Sequence, residues 1–111
     1  MWIASKYGFF SIVAKDNGFH VRARVQLDLE ELLAATGIAE QVQIWPGADY
    51  RYRIIVGATD ISKVFSTMAS SIDYSNFKSM IDATPNQLAK RYAYSDIWCT
   101  MYQLQEDSDK S

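Results

Sequence analysis

The chain has 111 residues, of which 49% are hydrophobic and 22% charged, and its formal net charge at pH 7 is −2. This composition is typical of a folded domain and argues against a disordered chain. The acidic balance argues against a general attraction to nucleic acid or to anionic membranes. A single cysteine excludes an internal disulfide. With no long apolar run and no signal-like start, these features predict a cytoplasmic protein without a membrane partner.

The first third of the chain predicts two strands and a helix. Residues 2–14 are rich in aromatic and β-branched side chains, which favours a strand, with a bulge or a close packing contact at Gly8. An Asp-Asn-Gly turn at residues 16–18 leads into a second strand over residues 19–25. Leucines spaced by three and four favour a helix from Asp28 to Thr36, which the glycine that follows should end.

The middle of the chain repeats this pattern of paired strands followed by a helix. A short strand is predicted over residues 41–45, and a stronger one over residues 50–56 after a Pro-Gly turn. Apolar spacing then favours a second helix that runs to Ile72. Thr59 or Asp60 is the predicted N-cap of this helix.

The last third predicts a long helix. Thr84 and Pro85 form a good helix start, because proline suits the first helical position, and the helix is expected to reach about Gln105. One further helical turn is expected over residues 77–83. Cys99 is expected to be buried as inert packing in the apolar seam of the long helix. That predicted seam is Tyr94, Ile97, Trp98, Met101 and Leu104.

The element order β-β-α-β-β-α-α predicts an α+β fold. We expect one domain over residues 1–106, in which a four-stranded antiparallel sheet carries helices on one face, as in a ferredoxin-like sandwich. The other face of the sheet is then expected to be open to water or to a partner. Residues 107–111 are polar and are predicted to fray.

Several segments, taken together, resemble a family of small bacterial single-domain proteins. The resemblance covers nearly the whole chain and implies a single domain and a bacterial or phage source. It implies no activity and no catalytic residues. The segments that carry it are Met1–Ile3, Lys6–Ser11, Val21–Val25, Ala48–Ile54, Asn76–Lys78, and Trp98 with Met101 and Tyr102.

Two segments, His20–Val25 and Tyr50–Ile54, alternate arginine with apolar or aromatic residues. Because a strand sends successive side chains to opposite faces, one face of each strand should carry cations. Such a face suits another protein or a second copy of the chain. The alternative is a single-stranded nucleic acid, since arginine binds phosphate and stacks on bases. A plainer interpretation is a solvated face whose arginines pair with acidic side chains. The candidate binding residues are His20, Arg22, Arg24, Tyr50, Arg51, Tyr52 and Arg53.

The sequence favours a non-enzymatic binding protein over an enzyme. His20 is the only histidine, and no partner for proton transfer is visible beside it. Metal-ligand spacings, calcium loops and phosphate loops are missing from the sequence, so no cofactor and no metal is predicted. The aromatic C-terminal helix, with Tyr92, Tyr94, Trp98 and Tyr102, is a second candidate surface for a homodimer or a partner protein. A plainer interpretation of this helix is that Trp98 packs in the core of its own domain and that the tyrosines are simply half-exposed.

Overall fold

The computed structural model describes residues 1–110. The chain forms two compact units, Met1–Asp73 and the segment from Tyr74 onward, and each unit is described by itself. The single domain expected over residues 1–106 stays a prediction.

An open antiparallel sheet of five strands and two helices make up the first unit, so the predicted α+β class is confirmed. The predicted count of four strands is wrong. The strand order is β1-β2-β3-β5-β4, and a ferredoxin-like order is not confirmed. The elements are β1 (Trp2–Ala4), β2 (Phe9–Lys15), β3 (Gly18–Ala23), α1 (Gln26–Thr36), β4 (Gln43–Ile44), β5 (Tyr52–Val56) and α2 (Ala58–Ser70).

The additional strand arises because the long first segment folds back on itself at Gly8. Ser5 and Gly8 exchange backbone hydrogen bonds of 2.9 and 3.2 Å, which closes a tight turn between β1 and β2. Gly8 has a φ of 152°, a conformation that residues with a side chain rarely adopt. A Cβ atom there would overlap the carboxyl group of Asp28. Glycine is therefore needed at this turn, both for its backbone conformation and for the close approach of α1.

The core of the first unit lies between one sheet face and the two helices. Its strand residues alternate along β2, β3 and β5, α1 and α2 contribute most of the remaining apolar side chains, and Ile38 follows the end of α1. Gly37 ends α1, as predicted, and it adopts the left-handed conformation. The N-cap of α2 is Gly57, which has no side chain to cap it, so the prediction of Thr59 or Asp60 is wrong. The core residues are Phe10, Ile12, Val21, Ala23, Leu29, Leu32, Ile38, Ile54, Val56, Ile61, Val64 and Met68.

The second unit is helical and contains α3 (Phe77–Asp82), a 3-10 turn (Leu88–Lys90) and α4 (Arg91–Asp109). Asn76 caps α3, since its side chain accepts a hydrogen bond of 2.9 Å from the Ser79 backbone N–H. The long helix begins at Arg91 rather than at Pro85.

The helix α4 also extends past the predicted end at Gln105, and it includes the first residues of the tail expected to fray. The last residue of that tail, Ser111, lies outside the described residues. Within residues 1–110, no helix has both the length and the apolar character needed to cross a membrane.

Candidate functional site

The strand register brings the predicted arginines together on the sheet face opposite α1 and α2. Arg22 of β3 lies directly across from Arg53 of β5, and Ser11 of β2 lies on the other side of Arg22. Two like charges at directly opposed positions destabilise a sheet unless each finds its own partners. The two guanidinium groups do find separate partners, and these contacts define the character of the face.

Arg53 is buried, with 3% of its surface exposed, although no acidic side chain within residues 1–110 pairs with it. Its guanidinium lies 3.9 Å from the centre of the Trp45 ring, a cation–π contact. It also donates to the Tyr50 carbonyl oxygen at 3.4 Å. Its Nε has no hydrogen-bond partner among the residues described. Burial, followed by the charge of Arg22, lowers the pKa of Arg53.

His20 is the second buried polar residue of this face, with 2% of its surface exposed. Its Nδ1 accepts a hydrogen bond from Arg53 at 3.1 Å, because a guanidinium can only donate. Its Nε2 donates to Asn17 Oδ1 at 2.7 Å, which assigns the neutral tautomer. Burial, followed by the charges of Arg53, Lys15 and Arg22, lowers the pKa of His20. With both ring nitrogens engaged inside the protein, this histidine is poorly placed for proton transfer.

Tyr50 is enclosed by Arg22 and Arg24. The guanidinium groups of Arg22 and Arg24 lie 4.8 and 4.1 Å from the centre of its ring, and the residue is 4% exposed. Arg22 also donates to the Ser11 hydroxyl at 2.6 Å, and Arg24 donates to the Asp49 backbone carbonyl at 2.9 Å. The arginines therefore hold the loop between β4 and β5 against the sheet.

The expectation of an open sheet face is wrong at its centre, because Ser11, His20 and Arg53 are buried there. Of the remaining candidate binding residues, Arg51 is exposed. Tyr52 packs on the opposite, core side of the sheet. The roles of Trp45 and Ser11 were not apparent from the sequence, since a tryptophan after a two-residue strand and a lone serine form no distinctive pattern.

The helix α4 presents the opposite situation, in which apolar side chains remain in water. Tyr94 is its only buried residue within the described chain, and its ring packs 5.3 Å from that of Phe77. The rest of the predicted core seam is exposed, which corrects the expectation that it packs within the domain. Five large side chains are each between 47% and 57% exposed, and we call them the α4 stripe: Ile97, Trp98, Met101, Tyr102 and Leu104.

The ring of Trp98 organises one side of the α4 stripe. It stacks on Tyr102 with a centroid distance of 5.2 Å and an interplanar angle of 10°. The ammonium of Lys78 lies 4.8 Å from the centre of the same ring. These contacts orient two large aromatic rings while leaving about half of each exposed.

Cys99 is exposed, so its predicted burial is wrong. A helix turns about 100° per residue, which directs Cys99 away from Ile97, Met101 and Leu104. A small cleft of about 230 Å³ between α3 and α4 is lined in part by Lys78, Asp82 and Arg91. It is smaller than the clefts of roughly 300–1,000 Å³ that enclose most small ligands. Among residues 1–110, no three histidine, cysteine or acidic side chains group as metal ligands.

Comparisons of the chain with family models, with curated proteins and with solved structures return no match. The site is therefore interpreted from its own residues.

Proposed function

We propose that this protein is a non-enzymatic binding protein that acts by self-association through the α4 stripe. The observation that carries the proposal is the exposure of five large, adjacent apolar side chains on one helix. Contiguous patches of this kind are uncommon on monomers and mark interaction surfaces. Aromatic residues and methionine, which dominate the stripe, are enriched at protein interfaces.

The spacing within the α4 stripe also suits a helix partner. Ile97, Met101 and Leu104 are separated by four and three residues, the spacing of a coiled-coil seam. Leucine and isoleucine at such positions insert between the side chains of a facing helix. The helix that carries them has 19 residues, which gives a length of about 28 Å for pairing.

The sheet face, which the sequence favours as the contact surface, has less support. Its central cations are already bound to Trp45, Tyr50 and Ser11. The exposed charges of Arg24 and Arg51 support the alternative of single-stranded nucleic-acid binding. However, Tyr50 beside them is covered and cannot stack on a base. A cytoplasmic location remains part of the proposal.

Sedimentation equilibrium over a range of concentrations tests the proposal. The wild-type chain should show a dimer mass that dissociates on dilution. Met101→Lys should weaken the association by about 30-fold or more, the effect of a residue central to an interface. The matched control is Gln103→Lys, which adds the same charge about 200° around the helix and should leave the dimer intact. A monomer mass at every concentration, or an unchanged dimer in Met101→Lys, would contradict the proposal.

A further inference from the structure

We propose that two copies of the chain pair through α4 in antiparallel orientation. This inference rests on the proposed function, because it assigns the partner and its direction to the α4 stripe. The stripe alone would fit either direction, since its apolar side chains carry no polarity. The direction follows from the charges at the two ends of the helix.

The N-terminal end of α4 is basic and its C-terminal end is acidic. Lys90 and Arg91 stand at the start of the helix. The last turn carries Glu106, Asp107 and Asp109, followed by a single compensating lysine at position 110. An antiparallel pair brings each basic end beside the acidic end of the other copy. A parallel pair would set three carboxylates beside three carboxylates, an arrangement that costs free energy.

The helix dipoles favour the same antiparallel arrangement. A two-fold axis perpendicular to α4 makes the interface isologous, so that each contact occurs twice and the assembly closes as a dimer. The positive N-terminal end of each dipole then lies near the negative C-terminal end of the other. With the axis beside position 99, Ile97 of each copy lies against Met101 of the other copy.

Cross-linking at two positions measures the direction directly. The exposed native thiol is first removed by Cys99→Ser. Cysteine is then introduced by Thr100→Cys or by Ala93→Cys, at two exposed positions that are seven residues apart and therefore on the same side of the helix. In the antiparallel pair, the two copies of position 100 lie beside the axis. The two copies of position 93 are separated by about 18 Å along the helices, at 1.5 Å per residue.

The probe is a bismaleimide slightly longer than the distance of about 8–10 Å between paired helix axes. Thr100→Cys should yield covalent dimers, and Ala93→Cys should yield at least tenfold fewer under the same conditions. Sedimentation should show that both variants remain dimers. Equal cross-linking at both positions would overturn the antiparallel direction while leaving self-association in place. Monomer masses together with no cross-linking at either position would overturn the proposed function as well.

Discussion

The sheet face and α4 differ in what they leave for a partner. On the sheet face the cations are bound within the fold: Arg53 lies on Trp45, and Arg22 lies on Tyr50. On α4 the large apolar side chains stay about half exposed. Within residues 1–110, Tyr94 is the only buried residue of this helix. The sheet face, which has the more distinctive sequence pattern, thus stabilises the fold. The helix α4, whose apolar spacing is that of ordinary core packing, keeps its large side chains accessible to a partner.

The difference has a physical cause in the partners that each residue type needs. An arginine on a strand can reach neighbouring rings, carbonyls and hydroxyls, so a single sheet with one loop can satisfy several arginines. An apolar helix face is satisfied only by another apolar surface. Charge patterning is therefore a poor guide to a contact surface when aromatic residues stand in the same strands.

The largest loss of stability is expected from Arg53→Ala, which removes the central cation of the sheet face. The change leaves His20 Nδ1 and the Tyr50 carbonyl without their donor and opens a gap beneath Trp45. The free energy of unfolding should fall by about 2–4 kcal/mol, the cost of lost packing and unsatisfied buried groups. Urea unfolding followed by circular dichroism measures this change.

The control for this prediction is Arg51→Ala, which changes an exposed arginine two residues earlier in the chain. It should change the free energy of unfolding by no more than about 0.5 kcal/mol. Equal losses in the two variants would show that the buried arginine has no special role.

Acidification should lower the free energy of unfolding by a smaller amount, because His20 is harder to protonate in the folded chain than in the unfolded chain. Burial and the nearby cations lower its pKa below the usual 6.5, which the unfolded chain should retain. The free energy of unfolding should therefore be greatest above about pH 6.5 and fall as the pH drops below it, levelling once the folded histidine is also protonated. Urea unfolding at a series of pH values measures this slope.

The His20→Gln variant should lose the slope between neutral pH and the range where carboxylates begin to titrate, since the chain has no other histidine. A slope that persists in this variant would assign the pH dependence to a different group. Stability that rises on acidification would contradict the neutral tautomer of His20.

Apart from the Arg51→Ala control, the smallest effect on the free energy of unfolding is expected from Arg24→Ala at the exposed rim of the sheet face. Its side chain is 56% exposed, and its ion pair with Asp49 has an N–O distance of 3.4 Å. Water screens such a pair, so the loss should stay below about 1 kcal/mol, including the contact with Tyr50. Thermal unfolding beside the wild type would detect it. A loss as large as that of Arg53→Ala would mean that the rim and the centre of the face do not differ.

Local sequence patterns predicted the secondary structure well, but they did not predict what surrounds each side chain. The Asn17-Gly18 turn, the end of α1 at Gly37 and the alternation of Arg22 with Val21 follow from backbone preferences within a few residues. The break at Gly8 was visible, but its consequence, an additional strand, depends on hydrogen bonds to Ser5 and on the approach of Asp28.

The exposure of α4 could not be predicted from its own residues. The spacing of Ile97, Met101 and Leu104 is the same whether the facing surface belongs to the same unit or to another copy. A helical turn does form around Pro85, where the Leu88 backbone N–H donates to the Thr84 carbonyl oxygen. The continuous helix nevertheless begins only at Arg91.

The most direct test of the central claim is to compare the two surfaces in one sedimentation experiment. The wild type, Met101→Lys on the α4 stripe and Arg24→Glu on the rim of the sheet face would be measured at the same concentrations. A dimer in the wild type and in Arg24→Glu, with a monomer in Met101→Lys, is the predicted result. A dimer that survives Met101→Lys and dissociates in Arg24→Glu would assign self-association to the sheet face and contradict the account.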